Sequence, residues 1–293
     1  MVYKKSRGEQ LFDIINHLIM IFIFIVMVYP FLYVLNYSLS IPGRIRNPLL
    51  IVPAGINLEA YKIAFSDPSI YHAFFVSVAR STIGPLTMLI VTAMAGYALS
   101  YKELIAGRFF RLFFLFTMYF SAGIIPVYLL FKTLRLTGTF WVYIVPGMVN
   151  VFNLILIKTY IETIPRSLEE SVLIDGGNEF DAFWKVIFPL CLPVNAAVVL
   201  FSCVGHWNSY IDTQLYAAMN QELHTMQYVL YNVLAVQMQQ SLEEAKRRYT
   251  ETVVTSESLK MAITVITVIP IACVYPFLQR YFVSGLLIGS IKA

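Results

Sequence analysis

Long uncharged apolar runs constrain what this chain can fold into more than any other feature of its sequence. The clearest is residues 18–35, in which IMIFIFIVMVYPFLYVL follows a leucine without one charged side chain. An apolar helix needs about 20 residues to cross the hydrocarbon core of a bilayer. Basic residues precede the run, as in signal peptides, but the run is too long and no small-residue cleavage site follows it. We therefore predict a retained first membrane helix.

Further apolar segments of similar length predict an all-α membrane protein. We place its six transmembrane helices at residues 18–35, 76–99, 110–131, 141–157, 187–205 and 261–279. With a cytoplasmic N-terminus, Lys and Arg are denser in the inner segments than in the outer ones, and the positive-inside rule favours that orientation. The prediction is a single transmembrane domain, 1–293, with both termini cytoplasmic, a cytoplasmic loop at 158–186 and an outer loop at 206–260.

The composition agrees with a membrane location and excludes several functions. Of the 293 residues, 58% are hydrophobic and 13% are charged, against roughly 25% charged in soluble domains. The net charge of +4 gives no case for nucleic-acid binding. The sequence contains no GxxxxGK[ST] motif, so the chain has no P-loop for a nucleotide. We expect neither a soluble enzyme nor a protein that binds nucleotides by itself.

Two other classes of membrane protein need buried ionisable groups, which are scarce in this sequence. Between the span ends there is no Asp, Glu or Lys, while Arg80 lies near a span start and His206 near a span end. A self-contained secondary carrier or channel usually depends on such groups, and an intramembrane enzyme needs a nucleophile or a metal constellation. The four histidines are scattered, so we predict no catalytic residue and no metal site. Both classes stay open as alternatives.

The most structured polar segment is residues 164–193. Ser167 is followed three residues later by Glu170, a capping box that predicts a helix from position 168. Gly176 and Gly177 then end that helix, because glycine enters the left-handed conformation at low cost. Asn178 is placed to cap a second helix. The segment is therefore predicted to be a short helix-turn-helix on the cytoplasmic side.

Apolar side chains recur at helical spacing along this segment. They are Leu168 and Val172 on the first helix, and Phe180, Phe183, Trp184 and Ile187 on the second. One interpretation is an interfacial helix that lies on the lipid headgroups. The other is a projection that docks into a groove on a soluble partner.

The same segment resembles the EAA loop of the permease subunits of bacterial ABC importers, whose pattern begins EAA-x-x-D-G-A. The residues that match the pattern are Glu170, Asp175, Gly176, Phe183, Ile187 and Pro193. Where the family has small alanines, this chain has Ser171, Val172 and Gly177. Other stretches resemble the maltose-type carbohydrate permeases, namely IPVYLL at 125–130, GHWN at 205–208 and YPFLQRYF at 275–282. The last is similar to a subgroup that imports complex oligosaccharides, including alginate.

The resemblance implies a type I ABC importer permease with no chemistry of its own. Its partners would be a second permease in a heterodimer, an ATPase dimer that binds ATP and Mg, a periplasmic solute-binding protein that delivers an oligosaccharide, and the lipid of the bacterial inner membrane. The chain itself would need no cofactor. The ATPase-coupling residues would be Leu168, Glu170, Ser171, Val172, Asp175, Gly176, Gly177, Phe180 and Phe183.

Residues of the substrate pathway are harder to assign. Asn150 and Asn153 lie three apart on the predicted fourth span, where they would either line the pathway or hydrogen-bond within the bundle. Trp207 and Asn208 would lie at the outer mouth of the pathway, where Trp207 is equally suited to anchor the chain at the interface. The outer loop at 206–260 would face the binding protein, or form a partly helical cap without a partner. Arginines in the outer segments suit an acidic oligosaccharide and are equally ordinary surface charges: Arg44, Arg46, Arg247 and Arg248.

Overall fold

A computed structural model describes residues 6–244 and 254–290, and no strand is found among them. The α-helices are α1 (Arg7–Leu39), α2 (Glu59–Ser66), α3 (Pro68–Ser100), α4 (Gly107–Tyr119), α5 (Ile124–Thr133), α6 (Val151–Ile161), α7 (Ser167–Ile174), α8 (Glu179–Ala182), α9 (Phe188–Leu190), α10 (Leu192–Asn208), α11 (Ile211–Tyr216), α12 (Met226–Glu244) and α13 (Ser256–Ser290). Short 3₁₀ turns lie at Pro42–Arg44, Phe140–Tyr143, Val145–Gly147 and Gln221–Leu223, and a π-helical turn lies at Phe183–Ile187.

The chain folds as two compact units, of which the first comprises residues 1–67 and 232–268. Its longest helix, α1, begins with a capping box formed by Ser6 and Glu9. The end of α1 is held by the connection that follows it, because the Asn36 side chain donates hydrogen bonds to the carbonyl oxygens of Leu50 (2.9 Å) and Ile51 (2.7 Å). In the most apolar part of α1, no residue is buried by the other residues that the structure describes.

The second unit comprises residues 68–231 and 269–293, and α3 packs against both α6 and α10 within it. Glycines allow these close approaches. A Cβ at Gly96 would lie 3.4 Å from the backbone nitrogen of Lys158 in α6, and a Cβ at Gly84 would lie 2.6 Å from His206 Nε2 in α10. Small residues at helix interfaces let backbones approach in this way. A core is closed between the three helices, formed by Met88, Leu89, Ala93, Tyr97, Ile157, Ile161, Phe183, Ile187, Cys191, Val194 and Val198.

Three of the predicted spans are not continuous helices, which corrects the sequence prediction. The span at 110–131 is divided into α4 and α5, which meet at 115°, and the span at 141–157 consists of 3₁₀ turns followed by α6 at 44°. At 187–205 the chain bends by 77° between α9 and α10. Gly123 adopts a positive φ of 87° at the first break, and prolines lie at or beside the other two, where the ring removes a backbone donor and opposes a straight helix.

Apolar helices long enough to cross a membrane number three among the described residues, or up to six if each bent pair forms one span. The predicted spans at 18–35 and 76–99 lie within α1 and α3, and the span at 261–279 lies within α13. The count of six spans stays a prediction. The predicted outer loop at 206–260 is largely helical where the structure describes it, with α11, α12 and the start of α13.

Candidate functional site

The start of α7 differs from the sequence prediction. The predicted capping box between Ser167 and Glu170 is not formed, because Arg166 is the N-cap and makes no side-chain cap hydrogen bond. Arg166 already has a helical backbone, with φ −63° and ψ −24°, so Ser167 lies inside the helix and its side chain cannot reach back as a cap. Glu170 is exposed. The Ser171 hydroxyl donates to the carbonyl oxygen of Ser167 at 2.8 Å.

The end of α7 follows the prediction. Gly176 has a left-handed backbone with φ +86°, directly after Asp175, the C-cap. The amide of Gly176 donates to the carbonyl oxygen of Leu173 (3.1 Å) and that of Gly177 to the carbonyl oxygen of Val172 (2.9 Å). These two bonds form a Schellman motif. The turn between α7 and α8 is therefore fixed by backbone geometry that glycine adopts without strain.

Asn178 caps α8 as predicted, in a full capping box with Asp181. The Asn178 side chain accepts from the amide of Asp181 at 2.9 Å, and the Asp181 carboxylate accepts from the amide of Asn178 at 3.3 Å. Lys185 pairs with Asp181 at 2.6 Å. The hydrogen bond from Lys185, and then that from the Asn178 amide, lower the pKa of Asp181. We refer to residues 166–182 as the α7–α8 segment.

The aromatic side chains after α8 do not form the exposed face that the spacing predicts. Phe183 is 3% exposed and Ile187 is fully buried in the core of the second unit. Phe183 packs against Tyr97 at 5.3 Å and against Trp184 at 5.0 Å between ring centroids. Both residues lie in the π-helical turn at Phe183–Ile187, and the Phe183 ring faces Tyr97 of α3. Phe183 is thus a core residue and is not presented to a partner.

A smaller set of apolar side chains is exposed on the α7–α8 segment. Ile174 is 84% exposed and Phe180 is 61% exposed, with Leu168 and Leu173 partly exposed beside them. We call these four residues the apolar patch. Val172, in contrast, turns toward the glycine turn, since a Cβ at Gly177 would lie only 2.7 Å from Val172 Cγ1.

A cluster of two tyrosines and two glutamates joins the α7–α8 segment to the end of α3. The Tyr101 hydroxyl contacts Glu169 (2.8 Å) and Glu179 (2.6 Å) through their Oε2 atoms, and the Tyr97 hydroxyl contacts Glu179 Oε2 at 3.1 Å and the Tyr101 hydroxyl at 2.6 Å. The two hydroxyls have two protons between them, so they can donate one hydrogen bond to Glu169 and one to Glu179. Burial, and then the hydrogen bond to Glu179, raise the pKa of Tyr101 above its usual value. Tyr101 therefore keeps its proton and acts as a donor.

Arg166 flanks this tyrosine–glutamate cluster. Its guanidinium pairs with Glu103 at 3.2 Å and lies 5.6 Å from the centroid of the Tyr101 ring. A backbone hydrogen bond, and then the Arg166 side chain, lower the pKa of Glu103. Both partners of this pair are substantially exposed, so the pair adds little stability in water.

The sequence reasoning missed the cluster. The sequence pattern predicts a role for Glu170 in capping and coupling, whereas Glu169 makes the contact with the end of α3. Tyr97 and Tyr101 are four residues apart at the end of a predicted span, a spacing that places two side chains on one helix face. That spacing was the available signal, but it did not indicate which carboxylates the hydroxyls would meet.

The predicted pathway residues on the fourth span do not share a helix face. Asn150 is the N-cap of α6, and its side chain accepts from the amide of Asn153 at 3.0 Å. Asn153 is buried, with its amide nitrogen 3.7 Å from the sulfur of Met88 in α3. Capping and contact within the bundle thus occupy both side chains.

Trp207 and Asn208, at the end of α10, lie in different environments. Asn208 is exposed, whereas Trp207 is 7% exposed and meets Phe74 edge to face at 6.2 Å. Trp207 lines an apolar cavity of about 180 Å³ between α3, α10 and α13. An almost wholly apolar lining offers little to a sugar, whose hydroxyls need polar partners.

A buried ion pair that the sequence did not predict lies near the same helices. Arg80 of α3 is 1% exposed and pairs with Asp212 of α11. The guanidinium also lies 4.5 Å from the centroid of the Tyr143 ring, and the Tyr143 hydroxyl donates to the carbonyl oxygen of Leu223 at 2.8 Å. Arg80 therefore fixes the segment around α11 to α3.

No group of three or more His, Cys, Asp or Glu side chains among the described residues is placed to hold a metal ion. In the second unit, a short helix-turn-helix exposes apolar side chains and is joined by hydrogen bonds to the end of α3.

Comparison with known proteins assigns this arrangement to a class. Residues 100–287 match the family described as the binding-protein-dependent transport system inner membrane component, and the chain belongs to that family of ABC importer permeases. The chain is 33% identical to the polygalacturonan/rhamnogalacturonan transport system permease protein YtcP of Bacillus subtilis, over 97% of this chain and 99% of that protein. It is 34% identical to Protein LplC of the same organism, over 98% and 97%.

A solved structure has the same fold. The crystal structure of a bacterial ABC transporter involved in the import of the acidic polysaccharide alginate contains a chain that superposes with a TM-score of 0.85 at 27% sequence identity. The match covers 96% of this chain and all of that one. The all-helical fold is therefore that of a type I ABC importer permease.

Proposed function

We propose that this chain is the membrane-spanning permease subunit of a bacterial importer that takes up an acidic oligosaccharide, driven by ATP hydrolysis in a separate subunit. The observation that carries the proposal is the α7–α8 segment. Its apolar patch is exposed on a helix-turn-helix whose turn is fixed by the Schellman motif at Gly176 and by the capping box of Asn178 and Asp181. The patch consists of Leu168, Leu173, Ile174 and Phe180. Such a patch is the kind of surface that a groove on a partner protein covers.

The proposed arrangement has six spans, with both termini and the α7–α8 segment in the cytoplasm. The segment would seat in a groove of the ATPase dimer, which holds the ATP and Mg, and a second permease would complete a heterodimer. A periplasmic binding protein would deliver the sugar on the opposite side of the membrane, to which we assign the predicted outer loop at 206–260. ATP and the loaded binding protein then bias a switch between two states of the permease pair.

Relatives support an acidic sugar as the substrate. The polygalacturonan/rhamnogalacturonan permease and the alginate importer are both named for uronate-containing polysaccharides. Arg44 and Arg46 are exposed in this chain, whereas Arg247 and Arg248 lie outside the described residues. Basic side chains at an entrance raise the local concentration of an anionic substrate.

The first test is purification of the tagged chain in mild detergent from its native membrane, with mass spectrometry of the proteins that accompany it. We expect a P-loop ATPase and a second permease to co-purify. A chain that is stable alone and moves solute in vesicles without other subunits would instead be a secondary carrier, and that result would refute the proposal.

A second test concerns the apolar patch. Replacing Phe180 with Asp is expected to reduce recovery of the ATPase about tenfold or more, because a charge would be buried without a partner. Ile105 is 90% exposed and lies outside the α7–α8 segment, so Ile105→Asp is the matched control and should leave recovery unchanged. Equal recovery with both variants would show that the patch is not the ATPase contact.

A further inference from the structure

We propose that Tyr101, assisted by Tyr97, is a positioning residue that transmits displacement of the α7–α8 segment to α3. The inference rests on the proposed function, because it assumes that a partner ATPase moves the segment. It assigns a role to a cluster that lies outside the apolar patch. The route therefore runs from the patch through the tyrosine–glutamate cluster to α3.

The geometry carries the proposal because Tyr101 contacts both helices of the segment. Glu169 belongs to α7 and Glu179 is the first residue of α8, and the Tyr101 hydroxyl lies 2.8 Å and 2.6 Å from their Oε2 atoms. The two carboxylates lie on opposite sides of the Gly176 turn. The Tyr101 hydroxyl has one proton and donates to one carboxylate at a time. While it donates to Glu169, the Tyr97 hydroxyl can donate to Glu179. Together the two tyrosines join both arms of the helix-turn-helix to the end of α3.

The hydrogen bonds of the cluster are suited to hold the α7–α8 segment firmly against the end of α3. Hydrogen bonds to a charged acceptor are roughly twice as strong as neutral ones, and these are partly shielded from water. The Tyr101 ring is held as well, since it packs edge to face on Tyr97 at 5.2 Å beneath the Arg166 guanidinium. The link is therefore stiff in both the hydroxyl and the ring.

The helix that receives the displacement is central to the second unit. α3 packs against α6 and α10 with glycines at both contacts, so it cannot shift without moving its neighbours. Close-packed protein interiors move as units rather than deform continuously. A displacement passed to the end of α3 would therefore reach the whole bundle.

The experiment uses the complete complex with its ATPase, sister permease and binding protein in lipid vesicles. Tyr101→Phe removes the hydroxyl and keeps the ring. We expect the ATPase to stay bound, while the sugar transported per ATP hydrolysed falls about tenfold, the effect of losing a hydrogen bond to a charged group. Tyr119 is 83% exposed at the end of α4, and Tyr119→Phe should leave the ratio unchanged.

A second pair of variants separates positioning from folding. Glu179 is exposed, so neither Glu179→Gln nor Glu179→Leu should prevent folding. The Gln variant retains an acceptor for the tyrosine hydroxyls and should preserve much of the transport per ATP, whereas the Leu variant should behave like Tyr101→Phe. Equal ratios in the two variants would overturn the proposal.

Two other results would also overturn it. If Tyr101→Phe transports as much sugar per ATP as the unmodified complex, the hydroxyl transmits nothing. If that variant loses the ATPase on purification, the cluster supports docking rather than transmission. Failure of the proposed function is recognised separately, because the unmodified chain would then bring no ATPase with it.

Discussion

At the scale of single residues, Val172 and Gly177 are matched to each other. The family pattern has alanine at both positions, whereas this chain has a larger and a smaller residue. The structure supplies the reason, since Val172 fills the space in which a side chain at 177 would lie. A Cβ at Gly177 would be 2.7 Å from Val172 Cγ1 and 2.9 Å from the Val172 carbonyl oxygen. The larger residue at 172 therefore requires a residue without a side chain at 177.

We predict that Gly177→Ala destabilises the protein by about 1–3 kcal/mol, the range for overpacking. Adding Val172→Ala should recover part of that loss, since the Cγ1 contact disappears while the carbonyl contact remains. Thermal unfolding of the purified protein measures both. A Cβ at Gly205, within α10, would meet nothing within 4 Å, so Gly205→Ala is the control. A double variant no more stable than Gly177→Ala alone would contradict the pairing.

At the scale of helices, the first turn of α8 depends on an ionised carboxylate. Asp181 accepts from the amide of Asn178 and from Lys185, and these contacts lower its pKa in the folded protein. A lowered folded-state pKa means that the contribution to stability is fully present above the unfolded value of about 3.9. It is lost as the pH falls through the folded-state pKa.

We therefore predict that protection of the Asn178 amide from hydrogen exchange, corrected for the intrinsic rate, holds down to about pH 4 and falls below it. Asp181→Asn removes the titrating group and should give weaker protection that is flat over the same range. The same acid-dependent fall in the Asn variant would assign the effect to another group.

The contact between α3 and α11 rests on a buried charge. Asp212→Asn leaves Arg80, which is 1% exposed, without its counter-charge, and we expect a loss of about 3–5 kcal/mol. Replacing both residues, as in Arg80→Met with Asp212→Asn, should be less damaging than Asp212→Asn alone. Denaturation in detergent gives the comparison. A double variant that loses the sum of both single effects would contradict a direct pairing.

Helix ends divide into those that the sequence predicts and those that it does not. The stop at Gly176 and the cap at Asn178 follow from backbone rules that act within four residues. The supposed cap at Ser167 depends on whether Arg166 is already helical, and the preceding chain decides that. The breaks at Gly123 and in the 140–150 region likewise escaped the hydropathy pattern, because apolar composition reports burial or lipid contact and not straightness.

At the scale of the whole molecule, most of the apolar surface of α1 is left uncovered by the described part of the chain. Phe22 is 66% exposed, whereas Ile157 at the centre of the second unit is fully buried. The sequence predicted both as membrane-helix residues on the same grounds. Hydropathy cannot distinguish them, because lipid tails and protein cores are equally apolar. The fold class was therefore predictable from the sequence. Which helix faces contact lipid and which pack within the protein was not.

This difference predicts a large loss of stability when Ile157 is truncated and a small one when Phe22 is truncated. Ile157→Ala should cost about 2–5 kcal/mol, because it leaves a cavity in a packed core. Phe22→Ala should change the stability of the isolated chain by less than about 0.5 kcal/mol, as for a surface substitution. Unfolding of the purified chain in detergent measures both effects. A large loss for Phe22→Ala would mean that α1 packs on another part of this chain.

The ion pair of Arg80 and the tyrosine–glutamate cluster both contact α3, at points roughly 30 Å apart along the helix axis. Under the proposed function, one lies toward the sugar and the other toward the ATP. Thermodynamic linkage then works in both directions: whatever factor ATP imposes on the affinity of the outer face for loaded binding protein, that protein must impose on the affinity for ATP. The ATP affinity measured on one side of the membrane would thus report whether loaded binding protein is bound on the other side.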